Sequence, residues 1–237
     1  MANPLQFDGK IVLIAGSAGE IGEYVAEAFL ANGAHVVVCG LTQVEKLPKA
    51  AGRKASFVLM AGSQPEQIIE VVDSVKTRYG RLDVLVYTAG GPTAGSASTD
   101  PPELVIRRDL VTPLHFNQAA NRLMQEQAEG GCIINVSYSQ PPPPSSKPPV
   151  EEAARAGLAN LGASLAVEWA PMVRINTVTL DLTQTEHPGS RGKSRSVAPP
   201  HRPNQSNDAL DLVPQIGRTC LFLASSLASY VSGAHLN

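Results

Sequence analysis

The sequence predicts a single α/β domain in which helices cover both faces of a doubly wound parallel sheet of about seven strands. Short apolar runs alternate with longer amphipathic segments, beginning with KIVLIAG and EIGEYVAEAFLANG. The runs are continuous in Val, Ile and Leu, as is typical of strands buried on both faces. Strands that alternate with helices form a parallel sheet through right-handed crossovers. The 237 residues contain no internal repeat, so we expect one domain over residues 1–237.

The elements follow one another in a regular order. The strands after KIVLIAG are AHVVVCG, ASFVLMAG, LDVLVYTAG, GCIINVSYS and MVRINTVTLDL, and YVSGAHLN closes the chain. Helices are predicted in PEQIIEVVDSVKTRYG, VEEAARAGLANLGASLAVEWA and DLVPQIGRTCLFLASS. A further helix over about 103–128 contains Pro113, and a proline inside a helix predicts a break or kink.

Two segments interrupt this alternation. Residues 140–149, QPPPPSSKPP, favour an extended polyproline conformation. We interpret them as a rigid Pro-rich loop, although an SH3-type ligand has the same composition. Residues 183–208 have almost no apolar side chains, and loops of this length are usually lids or disordered. We therefore expect a flexible loop resembling a substrate lid there.

The composition argues against several classes of protein. With 19 Lys and Arg against 21 Asp and Glu, the net charge of −2 gives no support to nucleic acid or an anionic membrane as the main partner. No apolar stretch reaches the ~20 residues that span a bilayer, and the N-terminus lacks the pattern of a signal peptide. The three cysteines show no C-x-x-C spacing, so no metal site is expected. We predict a cytoplasmic protein.

Six landmarks in order resemble the short-chain dehydrogenase/reductase family. AGSAGEIG, residues 15–22, stands where the family has its T-G-x-x-x-G-x-G turn, and RLDVLVYTAG resembles the strand that ends in N-N-A-G. CIINVSYS, SLAVEWAP, VRINTV and CLFLASSLASYVSG are similar to its fifth strand, long helix, sixth strand and closing segment. The resemblance covers nearly the whole chain. It implies a Rossmann-type fold and NAD(P)-dependent oxidoreductase chemistry.

The resemblance also locates the four residues that the family uses for catalysis, and all four are replaced. In the family, a tyrosine exchanges a proton with the substrate and a lysine four residues later lowers its pKa. A serine polarises the carbonyl, and an asparagine completes a water-linked proton path. The tyrosine, lysine, serine and asparagine positions hold Glu151, Arg155, Tyr138 and Asp109. We expect an ordinary i,i+4 ion pair of Glu151 with Arg155, a lowered Glu151 pKa and no catalytic residue.

The positions that would contact the dinucleotide are changed as well. Gly16, Gly19 and Gly22 preserve the turn, but Glu20 replaces the glycine that lets the backbone approach the pyrophosphate. The other family contacts are replaced by Leu41 after the second strand, Ala61 after the third, Tyr87 and Thr88 in the fourth, and Leu180 and Asp181 in the sixth. The sequence therefore predicts a vestigial turn. It predicts that this chain binds no cofactor and that NAD(P) is held by an active partner.

These changes lead to the hypothesis of a non-catalytic subunit that assembles with an active paralogue. In the family, the helix at about 150–170 and the one at about 103–128 form a four-helix interface, and the C-terminal segment forms another. Small residues are frequent in the first of these helices. Heteromeric family members that act on acyl-CoA alcohols are a parallel. The 183–208 loop contains four basic residues, Arg191, Lys193, Arg195 and Arg202. In such an enzyme they would bind the phosphates of CoA; alternatively, they lie in an exposed loop and contact only solvent.

Two alternatives stay open. The chain could be an active NAD(P)-dependent oxidoreductase with an unusual site formed by Tyr138, Glu151 and Arg155. It could also be a sensor that binds a small ligand in the pocket without redox chemistry.

Overall fold

Seven parallel strands form the central sheet of the computed structural model, which describes residues 3–16, 20–89, 100–139, 149–181 and 209–237. The described strands are β1 (Ile11–Gly16), β2 (His35–Gly40), β3 (Lys49–Ala50), β4 (Arg53–Lys54), β5 (Ser56–Leu59), β6 (Val84–Ala89), β7 (Gly131–Ser139), β8 (Val173–Asp181) and β9 (His235–Leu236). β3 and β4 form a separate antiparallel hairpin. The sheet order is β5-β2-β1-β6-β7-β8-β9, and all its neighbouring strands are parallel.

Helices cover both faces of this sheet. The described α-helices are α1 (Glu20–Ala31), α2 (Pro65–Tyr79), α3 (Pro102–Ile106), α4 (Thr112–Gln125), α5 (Pro149–Trp169) and α6 (Ala209–Ala224). One core, which includes Ile68, Phe116 and Leu158, lies under α2, α4 and α5. The other, which includes Phe29 and Ile216, lies under α1 and α6. The predicted doubly wound α/β fold is confirmed.

The predicted break near Pro113 is also confirmed, and it takes the form of a π-helical segment. α3 passes into a π-helical turn at Arg107–Val111 before α4 begins at Thr112. Pro113 has no N–H to offer the Asp109 carbonyl, and its ring crowds that side of the helix, so the hydrogen-bond ladder widens there. The Thr112 hydroxyl donates a hydrogen bond to the Arg107 carbonyl (2.9 Å). Asp109 is thus held in an irregular turn between two helices.

Glycines in α5 bring this helix close to the rest of the same chain. A Cβ atom on Gly157 would lie 3.2 Å from Cδ2 of Leu110 in the π-helical segment, which is tighter than ordinary contact. A Cβ atom on Gly162 would lie 2.8 Å from Oγ1 of Thr177 in β8. Part of the small-residue pattern in α5 therefore serves packing within the subunit.

Several predictions concern residues outside the described ranges. These are Gly19, the 183–208 loop with its basic residues, and the Pro-rich segment except Pro149, where α5 begins. The three cysteines are buried and free. Among the described helices, none combines the length and apolar character needed to cross a bilayer. Within the same ranges, no group of three or more His, Cys, Asp or Glu side chains is placed to hold a metal ion.

Candidate active site

The carboxyl ends of the parallel strands meet at one edge of the sheet, where the chain order reverses between β1 and β6. Ligands of open α/β sheets bind outside the carboxyl ends of the strands at such a switch point. β1 ends there at Gly16, β6 at Ala89 and β7 at Ser139. The crevice at this edge is the candidate active site.

The glycine turn begins at a position that only glycine fits. Gly16 has φ +101°, and a Cβ atom on it would collide with the backbone carbonyl oxygen of Thr88. The Thr88 hydroxyl donates a hydrogen bond to the Ala15 carbonyl (3.2 Å), so β1 and β6 are held tightly together at this point. Gly22 is buried in α1, and Glu20 is its first residue, although the Glu20 side chain lies outside the described part of the structure. That Glu20 repels a diphosphate therefore stays a prediction.

The residues that follow β2 and β5 are apolar and exposed. Leu41 comes directly after β2 with 58% of its surface exposed, and Ala61 follows β5 on the surface. Neither side chain can form a hydrogen bond with a ribose or an adenine. Leu41 instead offers an apolar surface at the crevice.

Tyr87 lies inside the protein rather than on the crevice surface. It is only 3% exposed, and its ring packs against the ring of Phe116 in α4, with 5.4 Å between the two ring centroids. Its hydroxyl donates a long hydrogen bond (3.4 Å) to the backbone carbonyl of Arg108. Burial raises the pKa of Tyr87, and the nearby Asp109 carboxylate raises it further, so the phenol stays neutral. Tyr87 therefore supports the π-helical segment.

An arginine that the sequence analysis overlooked fixes Asp109. Arg108 Nε and Nη2 donate to the two Asp109 carboxylate oxygens at 2.8 and 2.9 Å, and Nη1 donates to Asp100 at 2.8 Å. The hydrogen bond to Asp109 raises the pKa of Arg108, which stays charged. The Asp109 side chain is 13% exposed. The π-helical segment thus presents to the site an ion pair whose carboxylate is largely buried and whose arginine is half-buried.

Glu151 lies close enough to this ion pair for their charges to interact. Partial burial raises the pKa of the Glu151 carboxyl above its ordinary value. The Asp109 carboxylate adds to this rise, whereas Arg108 and Arg155 oppose it. The net direction of the Glu151 pKa is opposite to the sequence expectation, because burial, together with the Asp109 and Glu152 carboxylates, outweighs the neighbouring arginines.

Arg155 forms its ion pair with a different glutamate from the one expected. Its Nη2 atom lies 2.8 Å from Oε1 of Glu152, an i,i+3 pair, and its side chain is 13% exposed. The structure therefore brings Asp109, Glu151 and Arg155 together at the site. Tyr138 is placed by its backbone alone, opposite Leu180 in the pairing of β7 with β8.

The sequence analysis also missed three hydrogen-bonded residues near the ends of the last strands. These are Ser137, Thr179 and His235, which contact one another across β7, β8 and β9. The sequence did contain a signal for these residues. Near the ends of GCIINVSYS and MVRINTVTLDL, polar residues alternate with apolar ones in strands that are otherwise apolar.

Comparison with known proteins gives the same assignment as the landmarks. A family profile described as enoyl-(acyl carrier protein) reductase matches residues 15–237. A peroxisomal 2,4-dienoyl-CoA reductase from Pongo abelii is 30% identical, with 96% of this chain and 81% of the relative covered. The chain belongs to the short-chain dehydrogenase/reductase family.

Other similar proteins are reductases of carbonyl compounds by name. A sorbose reductase from Candida albicans is 26% identical, with 96% of this chain and 85% of the relative covered. The solved NADPH-dependent 3-quinuclidinone reductase from Rhodotorula rubra shares the fold, with a TM-score of 0.72, 22% identity and coverage of 98% of this chain and 90% of the other. Short-chain dehydrogenase/reductase relatives are NAD(P)-dependent oxidoreductases, so a cofactor is expected here too. The prediction that this chain binds no cofactor is wrong.

The described part of the crevice offers a dinucleotide backbone groups and one apolar side chain. Gly16 places the turn at the switch point, and α1 begins just beyond it, so that the positive end of the helix dipole lies where a pyrophosphate binds. Leu41 can cover one face of an adenine ring. NAD(P) would therefore be held by the backbone of Gly16 and of the first turn of α1 and by the Leu41 side chain.

Proposed function

We propose that the chain is an NAD(P)H-dependent reductase in which Glu151 donates the proton. The observation that supports this role is the raised pKa of Glu151, at the position of the family tyrosine. A carboxyl group that keeps its proton to higher pH can act as a general acid closer to neutrality. Family membership supports the wider assignment as an oxidoreductase.

The neighbouring residues have distinct roles in this proposal. Asp109 opposes the ionisation of Glu151, whereas Arg108, which holds Asp109 in position through two hydrogen bonds, favours it. Arg155, at the lysine position, carries a permanent guanidinium charge and can bind ribose hydroxyls. The cofactor, when bound, would supply the hydride. The proton comes from the carboxyl group of this chain.

The names of the relatives suggest two classes of substrate. The family profile and the peroxisomal relative point to a conjugated enoyl or dienoyl thioester, and the sorbose reductase points to a carbonyl group. Both reactions add one hydride and one proton. A 2,4-dienoyl-CoA and a ketose are therefore the first compounds to assay.

The test compares Glu151→Gln with Glu70→Gln. Glutamine keeps the size of the side chain but cannot donate an acidic proton, so E151Q should lower kcat about 10²–10⁴-fold with little change in cofactor binding. Glu70, an exposed glutamate of α2, is the matched control. NADPH oxidation followed by absorbance measures kcat, and fluorescence titration measures cofactor affinity. An E151Q enzyme as active as E70Q would contradict the role of Glu151.

A second candidate is a non-catalytic subunit that assembles with an active paralogue. It is favoured by an exposed face of small side chains on α5, formed by Ala153, Ala156, Ala163 and Val167. Val167 is 83% exposed, and small residues around it leave room for another helix. Tyr230 in the C-terminal segment is fully exposed as well. The proposed contacts are the helices at about 103–128 and 150–170 and this segment.

Co-expression with a homologue that keeps the Tyr-x-x-x-Lys pair distinguishes the two candidates. A non-catalytic subunit should co-purify with that homologue as a mixed oligomer and show no turnover alone. Ala156→Arg, which places a charge on the exposed α5 face, should dissociate it. This candidate would be contradicted if the separately purified chain shows turnover and if its oligomeric state is the same with and without the homologue.

A further inference from the structure

A chain of hydrogen-bonded side chains crosses the last three strands of the sheet. The hydroxyl oxygens of Ser137 and Thr179 lie 3.0 Å apart, and Oγ1 of Thr179 lies 2.8 Å from Nε2 of His235. Ser137 and Thr179 are 5% and 9% exposed, whereas His235 is exposed. This Ser–Thr–His chain therefore connects the protein interior with solvent.

The strand pairing explains why these side chains meet. Ser137 of β7 lies opposite Thr179 of β8, and His235 of β9 lies opposite Thr177 of β8. Residues two apart in a strand point to the same face, so the three side chains share one face of the sheet. It is the face covered by α5, because Gly162 of α5 packs on Thr177.

The inner end of the chain lies below the active site on the same face of the sheet. From Gly162, α5 runs about 10 Å toward the carboxyl edge of the sheet to reach Arg155 and about 16 Å to reach Glu151. β8 runs about 7 Å in the same sense from Thr177 to Thr179. Along the sheet, Arg155 therefore lies about 4 Å above Thr179 and Glu151 about 10 Å above it. Ser137 lies beside Thr179, so water has to bridge the remaining distance to Glu151.

The same face of the sheet carries further polar side chains, nearer the start of the strands than the Ser–Thr–His chain. The side-chain amides of Asn117 and Asn135 are fully buried, and their nitrogen and oxygen atoms have no hydrogen-bond partner in the described part of the protein. The same holds for Oγ1 of Thr177. Buried polar atoms destabilise a core unless water or another group satisfies them. The Ser–Thr–His chain therefore lies beside buried polar atoms that bound water can satisfy.

We propose that the Ser–Thr–His chain returns a proton to the active site after each turnover, an inference that rests on the reductase activity proposed above. Reduction takes one proton from the Glu151 carboxyl, and this proton has to be replaced. His235 receives a proton from solvent at Nδ1 and donates one from Nε2 to Thr179. The Thr179 hydroxyl passes its own proton to Ser137. Ser137 releases its proton to Glu151 through water in the cleft.

The proton balance of this route closes. Each hydroxyl releases one proton as it accepts one, because a hydroxyl is both donor and acceptor. Rotation of the two hydroxyls then restores the starting hydrogen bonds. The net result is one proton moved from solvent to Glu151. Histidine suits the outer end because one ring nitrogen can accept a proton while the other donates one.

Kinetics of two variants test the relay. His235→Gln keeps a hydrogen-bond donor for Thr179 but cannot transfer a proton, and Thr179→Val interrupts the chain with a side chain of the same shape. Each should lower kcat about 10-fold or more without changing the KM for NADPH. Added imidazole should restore activity to H235Q but not to T179V, which a merely structural role would not produce. His35→Gln, at the exposed start of β2, is the matched control.

Nitrogen-15 NMR of the His235 ring gives a second readout that needs no turnover. Ser137→Ala should shift the Nε2 signal through Thr179, whereas Thr77→Val on the exposed side of α2 should not. An Nε2 signal unchanged by S137A would overturn the chain itself. Turnover that survives both H235Q and T179V would overturn the relay alone. Absence of turnover in a wild-type protein that binds NADPH would overturn the proposed function and the relay together.

Discussion

Replacing Asp83 with asparagine should lower the free energy of unfolding by about 3 kcal/mol. The Asp83 side chain is 8% exposed and lies just before β6. Its Oδ2 atom accepts hydrogen bonds from the Ile11 backbone N–H (2.9 Å) and from Arg81 Nε (3.0 Å). Its Oδ1 atom accepts from Arg81 Nη2 and from Lys10 Nζ (3.1 Å). The carboxylate therefore joins β1 to β6 at the edge opposite the active site.

The magnitude follows from what asparagine cannot do at this position. The NH₂ group of asparagine would replace a carboxylate oxygen that accepts hydrogen bonds, so two donors would face each other. The neutral amide would also leave the positive charges of Arg81 and Lys10 without the buried negative charge that they contact. Breaking a buried ion pair costs about 3–5 kcal/mol. The Arg81 and Lys10 side chains are 36% and 38% exposed, so solvent recovers part of this loss and the lower end applies.

Urea unfolding followed by circular dichroism measures the change. The matched control is Asp73→Asn, which removes the exposed pair of Asp73 with Arg122 (3.1 Å, 53% and 54% exposed). This control should change the free energy of unfolding by less than about 1 kcal/mol. If D83N and D73N lower it by the same small amount, the reasoning from burial is refuted.

Three further predictions concern the site. Gly16→Ala should destabilise the fold by more than about 2 kcal/mol in thermal unfolding, since the backbone conformation is unfavourable for alanine and its Cβ meets the Thr88 carbonyl; an unchanged Tm would contradict the close approach. The pKa of Glu151 in the folded protein lies above its ordinary value, so ionisation of Glu151 lowers the free energy of unfolding as pH rises through that pKa. Thermal melts across pH should therefore show E151Q more stable than wild type at neutral pH and equal to it below the ordinary glutamate pKa, and the reverse order would refute the raised pKa. Tyr87→Phe should cost less than about 1 kcal/mol in urea unfolding, because the bond to the Arg108 carbonyl is long; a larger loss would mean that the π-helical segment depends on it.

The elements that the sequence predicts well are those with a strong apolar pattern. β1, β2, β6, β7 and β8 all follow from runs of Val, Ile and Leu, because burial on both faces of a parallel sheet requires such runs. The hairpin of β3 and β4 was not predicted. Its strands are Lys49–Ala50 and Arg53–Lys54, which show no apolar alternation, and the turn depends on positive φ angles at Ala51 and Gly52.

The site is less predictable because its chemistry depends on distances across the fold. The family resemblance located Asp109 and Glu151 by counting, and the structure places them near each other. The direction of the Glu151 pKa could not be read from the sequence, because it depends on the balance between burial and two arginines. The Ser137–Thr179–His235 contacts join residues up to 98 positions apart, and only the strand register brings them together.

The direction of the Asp109 carboxylate depends on the number of residues in the π-helical turn at Arg107–Val111. A π turn holds about one residue more than an α turn, so deleting one residue there would restore a continuous α-helix. Because the same full turn would then be made with one residue fewer, the helices on either side would keep their orientation, and Val105, which is 1% exposed, would stay in the core. Within the turn, the remaining residues would shift around the helix axis by up to about 100°, so another side chain would face Glu151 in place of Asp109. A relative with one residue fewer in this segment would therefore keep its core and have a different set of side chains at the site.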